Sequence, residues 1–237
     1  MHSRKPLCIE LFAGRFGWGK GAVAAGFRVV GFDILHESYH KPIPEGCELV
    51  LQDVLTLHGS QFRDADLILA SPPCTEYSYM AMPWSRAKQI AAALRGEGEF
   101  PKGYSGSRTL EQLNRLFNAC FRIQLEASQA AGRHIPMVIE NVKGAQPWVG
   151  VAACHYGAQY LWGDVPALLP FSGESEGIKQ HGSGALWFDR GIASYGSQSH
   201  ARKTASAMIA EIPFSLAEWI ARYYLPGCSQ GYNSGHA

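Results

Sequence analysis

One cysteine stands where a nucleophile would be presented to a ligand. Residues 71–78 read Ser-Pro-Pro-Cys-Thr-Glu-Tyr-Ser and directly follow the apolar run 66–70, so Cys74 lies just beyond a predicted buried strand. The two prolines fix φ and remove backbone donors, which makes the turn rigid and ends the strand. Because ligands of open α/β sheets bind beyond the carboxyl ends of the strands, we interpret Cys74 as a candidate nucleophile. The alternative is a buried cysteine that fills the core.

A carboxyl group follows a second predicted strand. Residues 137–139 are Met-Val-Ile, and they lead into Glu140 and Asn141. The carboxyl ends of parallel strands meet at one edge of a sheet, so we expect the thiol of Cys74 and the carboxyl of Glu140 to face one pocket. This pairing suits a substrate ring that lies between the two groups. The alternative is a structural carboxylate that caps the following loop.

Three further strand ends carry groups suited to an adenosine-bearing cofactor. The first, after residues 7–12, leads into the glycine-rich turn 14–21, where backbone can approach a ligand closely. The second ends in Asp33, placed to accept hydrogen bonds from the two hydroxyls of a ribose, and the third ends near Asp53, which could accept one from an adenine amino group. Alternatively, either aspartate is a helix cap or a solvated turn residue.

The elements that would position these groups alternate between apolar runs and helical patterns. Such alternation predicts an α/β fold with a doubly wound, mostly parallel sheet. Apolar residues at helical spacing predict an amphipathic helix over 109–131, and a closing helix is expected over 215–225. The predicted strands are 7–12, 27–32, 48–51, 66–70 and 137–139.

Composition limits the classes of protein that the chain can be. Its 237 residues are 46% hydrophobic and 17% charged, which is ordinary for a globular protein and argues against disorder. The formal net charge of +1 means that a polyanion would have to meet a local basic patch. The six cysteines lack zinc-type spacing, so we expect reduced thiols and no metal site. No apolar stretch is long enough to span a membrane.

The chain divides into a main domain, a small lobe and a tail. We expect residues 1–154 plus 206–228 to form the main domain and the Gly- and aromatic-rich residues 155–205 to form a small second lobe. Residues 229–237 are expected to be a flexible tail. The segment 79–108 reads as irregular and basic, which predicts a lid over a ligand or, alternatively, a disordered linker.

In their order along the chain, these segments resemble the DNA (cytosine-5) methyltransferases. The pairing of Pro-Pro-Cys with Glu-Asn-Val in one α/β chain is specific, and the cysteine after the prolines points to chemistry at a ring carbon. The similar segments are Leu11-Phe12-Ala13-Gly14, Asp33, Asp53, Ser71-Pro72-Pro73-Cys74 with Tyr77-Ser78, Glu140-Asn141-Val142, and Ile212-Pro213 before the closing helix.

The resemblance implies a Rossmann-like S-adenosylmethionine-dependent fold and a role for each matching residue. By this resemblance the thiolate of Cys74 adds to C6 of a flipped-out cytosine, Glu140 contacts N3, and Asn141 holds Glu140 and the loop in place. The enzyme would then transfer the methyl group of S-adenosylmethionine to C5 and release S-adenosylhomocysteine. The residues expected to bind this cofactor are Phe12, Ala13, Gly14, Gly17, Asp33, Ile34, Asp53, Val54 and Pro73.

The chain departs from the family pattern at several positions. Phe16 stands where a second glycine is common, and residues 159–163 keep the glutamine but neither arginine of the family's Gln-x-Arg-x-Arg segment. An arginine that steadies the target would have to come from elsewhere. We therefore expect Arg86, Arg108 and Arg202 to contact nucleic acid. The compact size suits a monomeric phage-type enzyme in the cytosol of a bacterial or phage-infected cell.

Three other functions fit parts of the sequence. The same chemistry could act on an RNA cytosine or use an altered adenosyl donor that the changed glycine turn accommodates. A non-catalytic nucleic-acid-binding relative could retain Cys74 without turnover. A nicotinamide-dependent dehydrogenase fits least, because Gly17, Gly19 and Ala22 match the dinucleotide fingerprint only in a poor register.

Overall fold

The fold is built on a sheet whose strands coincide with the apolar runs of the sequence. The computed structural model describes residues 4–34, 42–74, 77, 83–104, 109–167 and 211–227. In these residues seven strands form one sheet. The strands are β1 (Leu7–Leu11), β2 (Arg28–Asp33), β3 (Cys47–Leu51), β4 (Leu67–Ala70), β5 (Met137–Asn141), β6 (Cys154–Tyr156) and β7 (Gln159–Gly163).

The sheet is mostly parallel, as predicted. Its strand order is β3-β2-β1-β4-β5-β7-β6. Strands β1 to β5 run parallel to one another, whereas β7 is antiparallel to both β5 and β6. Chain connections lead from β1 outward to β2 and β3, and from β4 outward in the opposite direction. The crevice between β1 and β4 is therefore the point where the strand order reverses, which is where open α/β sheets bind ligands.

Helices cover both faces of the sheet. On one face lie α1 (Gly17–Ala25) and α5 (Phe214–Tyr223), and on the other lie α2 (Trp84–Leu94), α3 (Leu110–Ala131) and the short α4 (Gln146–Val149). The alternation of side chains along β4 divides the core: Leu67 and Leu69 pack towards α1 and α5, and Ile68 and Ala70 towards α3. This doubly wound arrangement confirms the predicted fold class.

Helix α3 begins and ends at residues that the sequence marks. The Thr109 side chain accepts from the Gln112 backbone N–H, and the Gln112 side chain accepts from the Thr109 N–H, which forms a capping box. Gly132 ends the helix at a positive φ of 64°. The prediction of a helix over 109–131 is confirmed. Among the described residues no helix combines the length and hydropathy needed to cross a membrane.

Two expectations about irregular segments need correction. The prediction that 79–108 is irregular throughout is wrong, because residues 84–94 form α2 and bury Ala87, Ile90 and Ala91 in the core. A lid cannot include this packed helix. The small lobe was expected to begin at residue 155, but β6 and β7 extend the main sheet beyond β5. Residues 168–205 and the expected tail 229–237 lie outside the described residues.

Helices α1 and α5 pack closely because α1 carries a glycine at their contact. A Cβ atom added at Gly21 would lie 2.4 Å from the Glu218 backbone nitrogen and 2.5 Å from Ala217 Cβ. Backbone cannot yield as a flexible side chain does, so any side chain at this position forces the helices apart.

We expect Gly21→Ala to lower the free energy of unfolding by about 1 to 3 kcal/mol, despite the better helix propensity of alanine. Urea denaturation followed by circular dichroism measures the change. Gly98→Ala is the matched control, because a Cβ at Gly98 meets no atom within 4 Å, and its effect should stay within about 0.5 kcal/mol. Equal effects of the two substitutions would contradict this packing analysis.

Candidate active site

The Pro-Pro-Cys loop after β4 is tied to the end of β5. The Asn141 side chain donates from Nδ2 to the Pro72 carbonyl oxygen at 2.9 Å, and its Oδ1 accepts from the Val142 N–H at 2.8 Å. Asn141 is fully buried, so these bonds form away from water, where a lost partner is costly. Proline at residue 72 cannot bond through its own nitrogen, but its carbonyl supplies the acceptor. The predicted role of Asn141 in holding the loop agrees with this contact.

A second tie comes from α1. The Trp18 indole donates from Nε1 to Ser71 Oγ at 2.9 Å, and the Ser71 N–H donates to the Leu11 carbonyl at 3.3 Å. Trp18 is fully buried against the sheet. The loop that carries Cys74 is therefore fixed from the β1 side by Trp18 and from the β5 side by Asn141.

The candidate nucleophile and acid lie at neighbouring strand ends. Ala70, the last residue of β4, pairs with Ile139 of β5, so Cys74 follows β4 beside the strand end that contains Glu140. Glu140 is 4% exposed and lies opposite Leu161 of β7. Cys74 is half-buried, and its thiol is not part of a disulfide. The structure thus brings both loops to the edge of the sheet that the sequence predicts.

The glycine turn after β1 reaches across to β2. The Gly14 N–H donates to Asp33 Oδ2 at 2.9 Å, and the Ala13 N–H donates to the Phe32 carbonyl at 3.0 Å. Phe12, with φ of 60°, adopts a backbone conformation that costs non-glycine residues free energy. Such strain is often concentrated at ligand sites. Asp33 therefore fixes the turn, and it is placed as predicted at the carboxyl end of β2.

Phe16 has a positive φ, which is more usual for glycine, and its ring packs into the space beside Gly31. Its φ is 56°, and it precedes α1 as the N-cap residue. The ring is buried against Gly31 of β2, where an added Cβ would lie 2.5 Å from Phe16 Cε1. Packing of the ring offsets the backbone cost. The departure from the family pattern at this position is therefore accommodated by the core.

Near the carboxyl ends of β2 and β3, an aspartate is followed by an apolar residue. Ile34 is 64% exposed directly after Asp33, whereas Val54, also expected to bind cofactor, is buried in the core. Asp53 is exposed and caps a short 3-10 turn over Val54–Thr56, since its Oδ1 accepts from the Leu55 N–H at 2.9 Å. The alternative prediction for Asp53, a helix cap, therefore holds for one of its two carboxylate oxygens.

The remaining predicted site residues fall into three groups. Gly17 packs against the segment before α5, because a Cβ there would lie 2.7 Å from the Ile212 nitrogen. Pro73 is exposed on the loop, and Arg86 is half-buried on α2. Arg108 and Arg202 lie outside the described residues. Among the described residues no cluster of three or more His, Cys, Asp or Glu side chains could hold a metal ion.

Ion pairs fasten the glycine turn to the segment before α5. Arg15 donates from Nε to Glu211 Oε2 at 2.9 Å, and Lys20 pairs with the other carboxylate oxygen. Burial raises the pKa of Glu211, but the hydrogen bonds and charges of Lys20 and Arg15 outweigh it and hold that pKa below its ordinary value. The turn is thus held by Asp33 on one side and by Glu211 on the other.

A buried carboxyl group that the sequence did not lead us to expect, that of Glu10, lies beneath α1. Glu10 lies in β1 and is 2% exposed. Its Oε1 accepts from the Trp18 N–H at 3.2 Å, and Oε2 has no hydrogen-bond partner among the described residues. Burial raises the pKa of Glu10 to about 8. A glutamate inside an otherwise apolar strand was the available signal.

Comparisons with solved structures find similar proteins at low identity. A protein of E. coli named as a DNA modification methyltransferase encoded within a prophage is 21% identical over 59% of this chain and 33% of its own, with a TM-score of 0.35. The S. pombe Dnmt2 methyltransferase is 18% identical over 60% of this chain and 36% of its own, with a TM-score of 0.36. The Entamoeba histolytica methyltransferase EhMeth is 16% identical over 62% of this chain and 41% of its own, with a TM-score of 0.32.

The chain therefore spans between about a third and two-fifths of the length of these structures. No protein-family model matches it, and no curated protein matches its sequence.

The buried carboxyl group of Glu10 predicts a specific dependence of stability on pH. Because its pKa is raised on folding, Glu10 contributes stability that is fully present below its unfolded pKa and is lost as the pH rises towards 8. Glu10→Gln removes this titration and keeps an acceptor for Trp18. The difference in the free energy of unfolding, variant minus wild type, should therefore increase by up to about 1.4 kcal/mol for each pH unit between roughly pH 5 and 8.

Urea denaturation at a series of pH values measures that difference. The exposed Glu45→Gln is the matched control and should follow the wild-type curve. A gap between Glu10→Gln and wild type that stays constant from pH 5 to 8 would show that Glu10 does not titrate in this range.

Proposed function

We propose that the protein is a methyltransferase that transfers the methyl group of S-adenosylmethionine to C5 of cytosine in DNA. The observation that carries this proposal is the hydrogen bond from Asn141 to Pro72, which fixes the loop of Cys74 against the strand that contains Glu140. A thiol and a carboxyl held at adjoining strand ends form a pair that can contact two edges of one planar ring. Such a pair is required when a ring carbon must be made nucleophilic.

Cytosine C5 is too weak a nucleophile to attack a methyl group directly. Addition of the Cys74 thiolate forms a bond from Sγ to C6. The electrons of the C5–C6 double bond shift towards C4 and N3, where negative charge develops and C5 becomes an enamine-like carbon. Glu140 donates a hydrogen bond or proton to N3, which stabilises that charge. C5 would then bond to the methyl carbon as the bond from that carbon to the sulfonium sulfur of the donor breaks, and S-adenosylhomocysteine would leave. Removal of the C5 proton by a base restores the double bond as the bond from Sγ to C6 breaks.

Groups at the carboxyl ends of β1, β2 and β3 support the proposal of an adenosyl donor. Asp33 lies at the end of β2 as a hydrogen-bond acceptor for ribose hydroxyls, and exposed Ile34 offers an apolar surface to an adenine ring. Asp53 has a carboxylate oxygen beyond the one that caps its own turn. The backbone of Gly14 is already held towards Asp33. When bound, S-adenosylmethionine supplies a methyl group on a sulfonium sulfur, which is the electrophile that C5 requires.

The position of the thiol supports a substrate base that lies outside a duplex stack. Cys74 lies on a rigid loop at the edge of the sheet, and C6 of a cytosine stacked in a duplex cannot reach it. The base must therefore be flipped out or already single-stranded. We propose DNA as the partner and Arg86, on α2, as one contact to its backbone. Arg108 and Arg202 stay proposals from the sequence.

Covalent trapping tests this function. We expect the protein to form a denaturant-resistant adduct with a DNA oligonucleotide containing 5-fluorocytosine when S-adenosylmethionine is present. The fluorine at C5 cannot leave as a proton, so sulfur stays bonded to C6. Cys74→Ala should abolish the adduct, and Glu140→Gln should slow its formation by roughly 100-fold or more, the scale of general acid–base catalysis. Denaturing electrophoresis and mass spectrometry measure the product.

The control variant is Cys154→Ala, which removes another half-buried thiol, on the outermost strand β6, and should leave trapping unchanged. An adduct with RNA but not with DNA would transfer the proposal to an RNA cytosine. An adduct that survives Cys74→Ala, or no adduct with either nucleic acid despite tight binding of S-adenosylhomocysteine, would contradict the proposed reaction.

A further inference from the structure

A buried asparagine in the second turn of α3 bonds to the two chain segments that follow β4 and β5. Asn114 is 6% exposed, although asparagine is a poor helix former and a buried amide is costly unless it is hydrogen-bonded. Its Oδ1 lies 3.0 Å from the hydroxyl oxygen of Tyr77, and its Nδ2 donates to the Trp148 carbonyl at 2.8 Å. Tyr77 follows β4, and Trp148 follows β5. One side chain thus bridges the segments that carry Cys74 and Glu140.

Tyr77 connects this bridge directly to the nucleophile. Its backbone N–H donates to the Cys74 carbonyl at 2.9 Å and closes a turn. Its buried hydroxyl donates to the pair of acceptors formed by the Leu113 carbonyl and Asn114 Oδ1, at 2.8 and 3.0 Å. Its ring contacts Phe117 edge to face. The far end of the Cys74 turn is therefore anchored to α3 by both polar and apolar contacts.

We infer that Tyr77 and Asn114 are positioning residues that fix the Cys74 thiol relative to the Glu140 carboxyl. This inference rests on the proposed function, which gives Cys74 and Glu140 their roles in the reaction. Asn141 joins the two loops next to the sheet, and Asn114 joins them again farther along each loop. Two ties at different points prevent the loop from pivoting about either one. Because a displacement of about 1 Å can cost 100-fold in rate, this restraint acts on the chemical step.

The contacts predict an effect on turnover and not on ligand binding. Neither Tyr77 nor Asn114 belongs to the crevice between β1 and β4, so the affinity for S-adenosylhomocysteine should be unchanged. Tyr77→Phe removes only the hydroxyl and should lower kcat by roughly 10-fold, with KM for DNA within about twofold of wild type. Asn114→Leu removes both halves of the bridge and should lower kcat at least as far. Because a smaller folded fraction also lowers the apparent kcat at constant KM, kcat is calculated from the concentration of protein that binds S-adenosylhomocysteine.

The matched control is Asn118→Leu, one turn farther along α3 on its exposed face. It makes the same substitution in the same helix without touching either loop, and kcat should stay within about twofold of wild type. All variants are compared at a temperature at which circular dichroism shows them folded. Should Asn114→Leu fail to fold, Tyr77→Phe still decides the outcome, because it keeps the packed ring.

A second measurement separates this inference from the proposed function. Iodoacetamide alkylates Cys74 whether or not the protein transfers methyl groups, and peptide mass spectrometry follows each cysteine separately. Loosening the loop should raise the alkylation rate of Cys74 several-fold in Tyr77→Phe and Asn114→Leu but not in Asn118→Leu, with Cys154 as the internal reference. Equal Cys74 rates in all four proteins would overturn the inference, even if wild type forms the adduct. A wild type without an adduct would overturn only the proposed function.

Discussion

The proposed chemistry depends on a buried hydrogen bond from Asn141 to the Pro72 carbonyl oxygen. Strands β4 and β5 are neighbours in the sheet, but their register alone sets only where each loop begins. The 2.9 Å bond holds the backbone two residues before Cys74 against the residue after Glu140. Because both groups are buried, losing either partner would leave an unsatisfied polar atom away from water. The bond therefore restrains the segments that carry the thiol and the carboxyl relative to each other, as a reaction on a single ring requires.

Hydrogen bonds from the glycine turn and from α1 link these segments to the proposed donor site. Gly14 bonds to Asp33 on one side of the turn, and Trp18, at the start of α1, bonds to Ser71 beside the nucleophile loop. The same helix begins at the strained backbone of Phe16 and packs on α5 through Gly21. A shift of α1 would thus disturb both the proposed donor crevice and the thiol loop, so the packing of α5 against α1 supports both of them.

Much of the fold could be predicted because buried parallel strands are short apolar runs that end at turn residues. The five parallel strands and α3 followed from such patterns. Helix α2 was missed because the glycines after residue 95 made a clearly helical stretch look like part of an irregular segment. Residues 160–162 gave only a weak strand signal and were assigned to the small lobe, because a short aromatic run has no distinctive period, whereas β7 lies between β5 and β6 in the main sheet. The ties made by Trp18 and Asn114 join residues 53 and 37 positions apart, and no local pattern encodes such meetings.

The structure of the trapped complex between the protein and a 5-fluorocytosine oligonucleotide tests the central claim most directly. Our account predicts one extruded ring, with Cys74 Sγ bonded to C6 and the Glu140 carboxyl within hydrogen-bond distance of N3. The Asn141 to Pro72 bond should be intact in the same complex. A ring bonded to Cys74 but turned away from Glu140, or a base bound at another edge of the sheet, would contradict it.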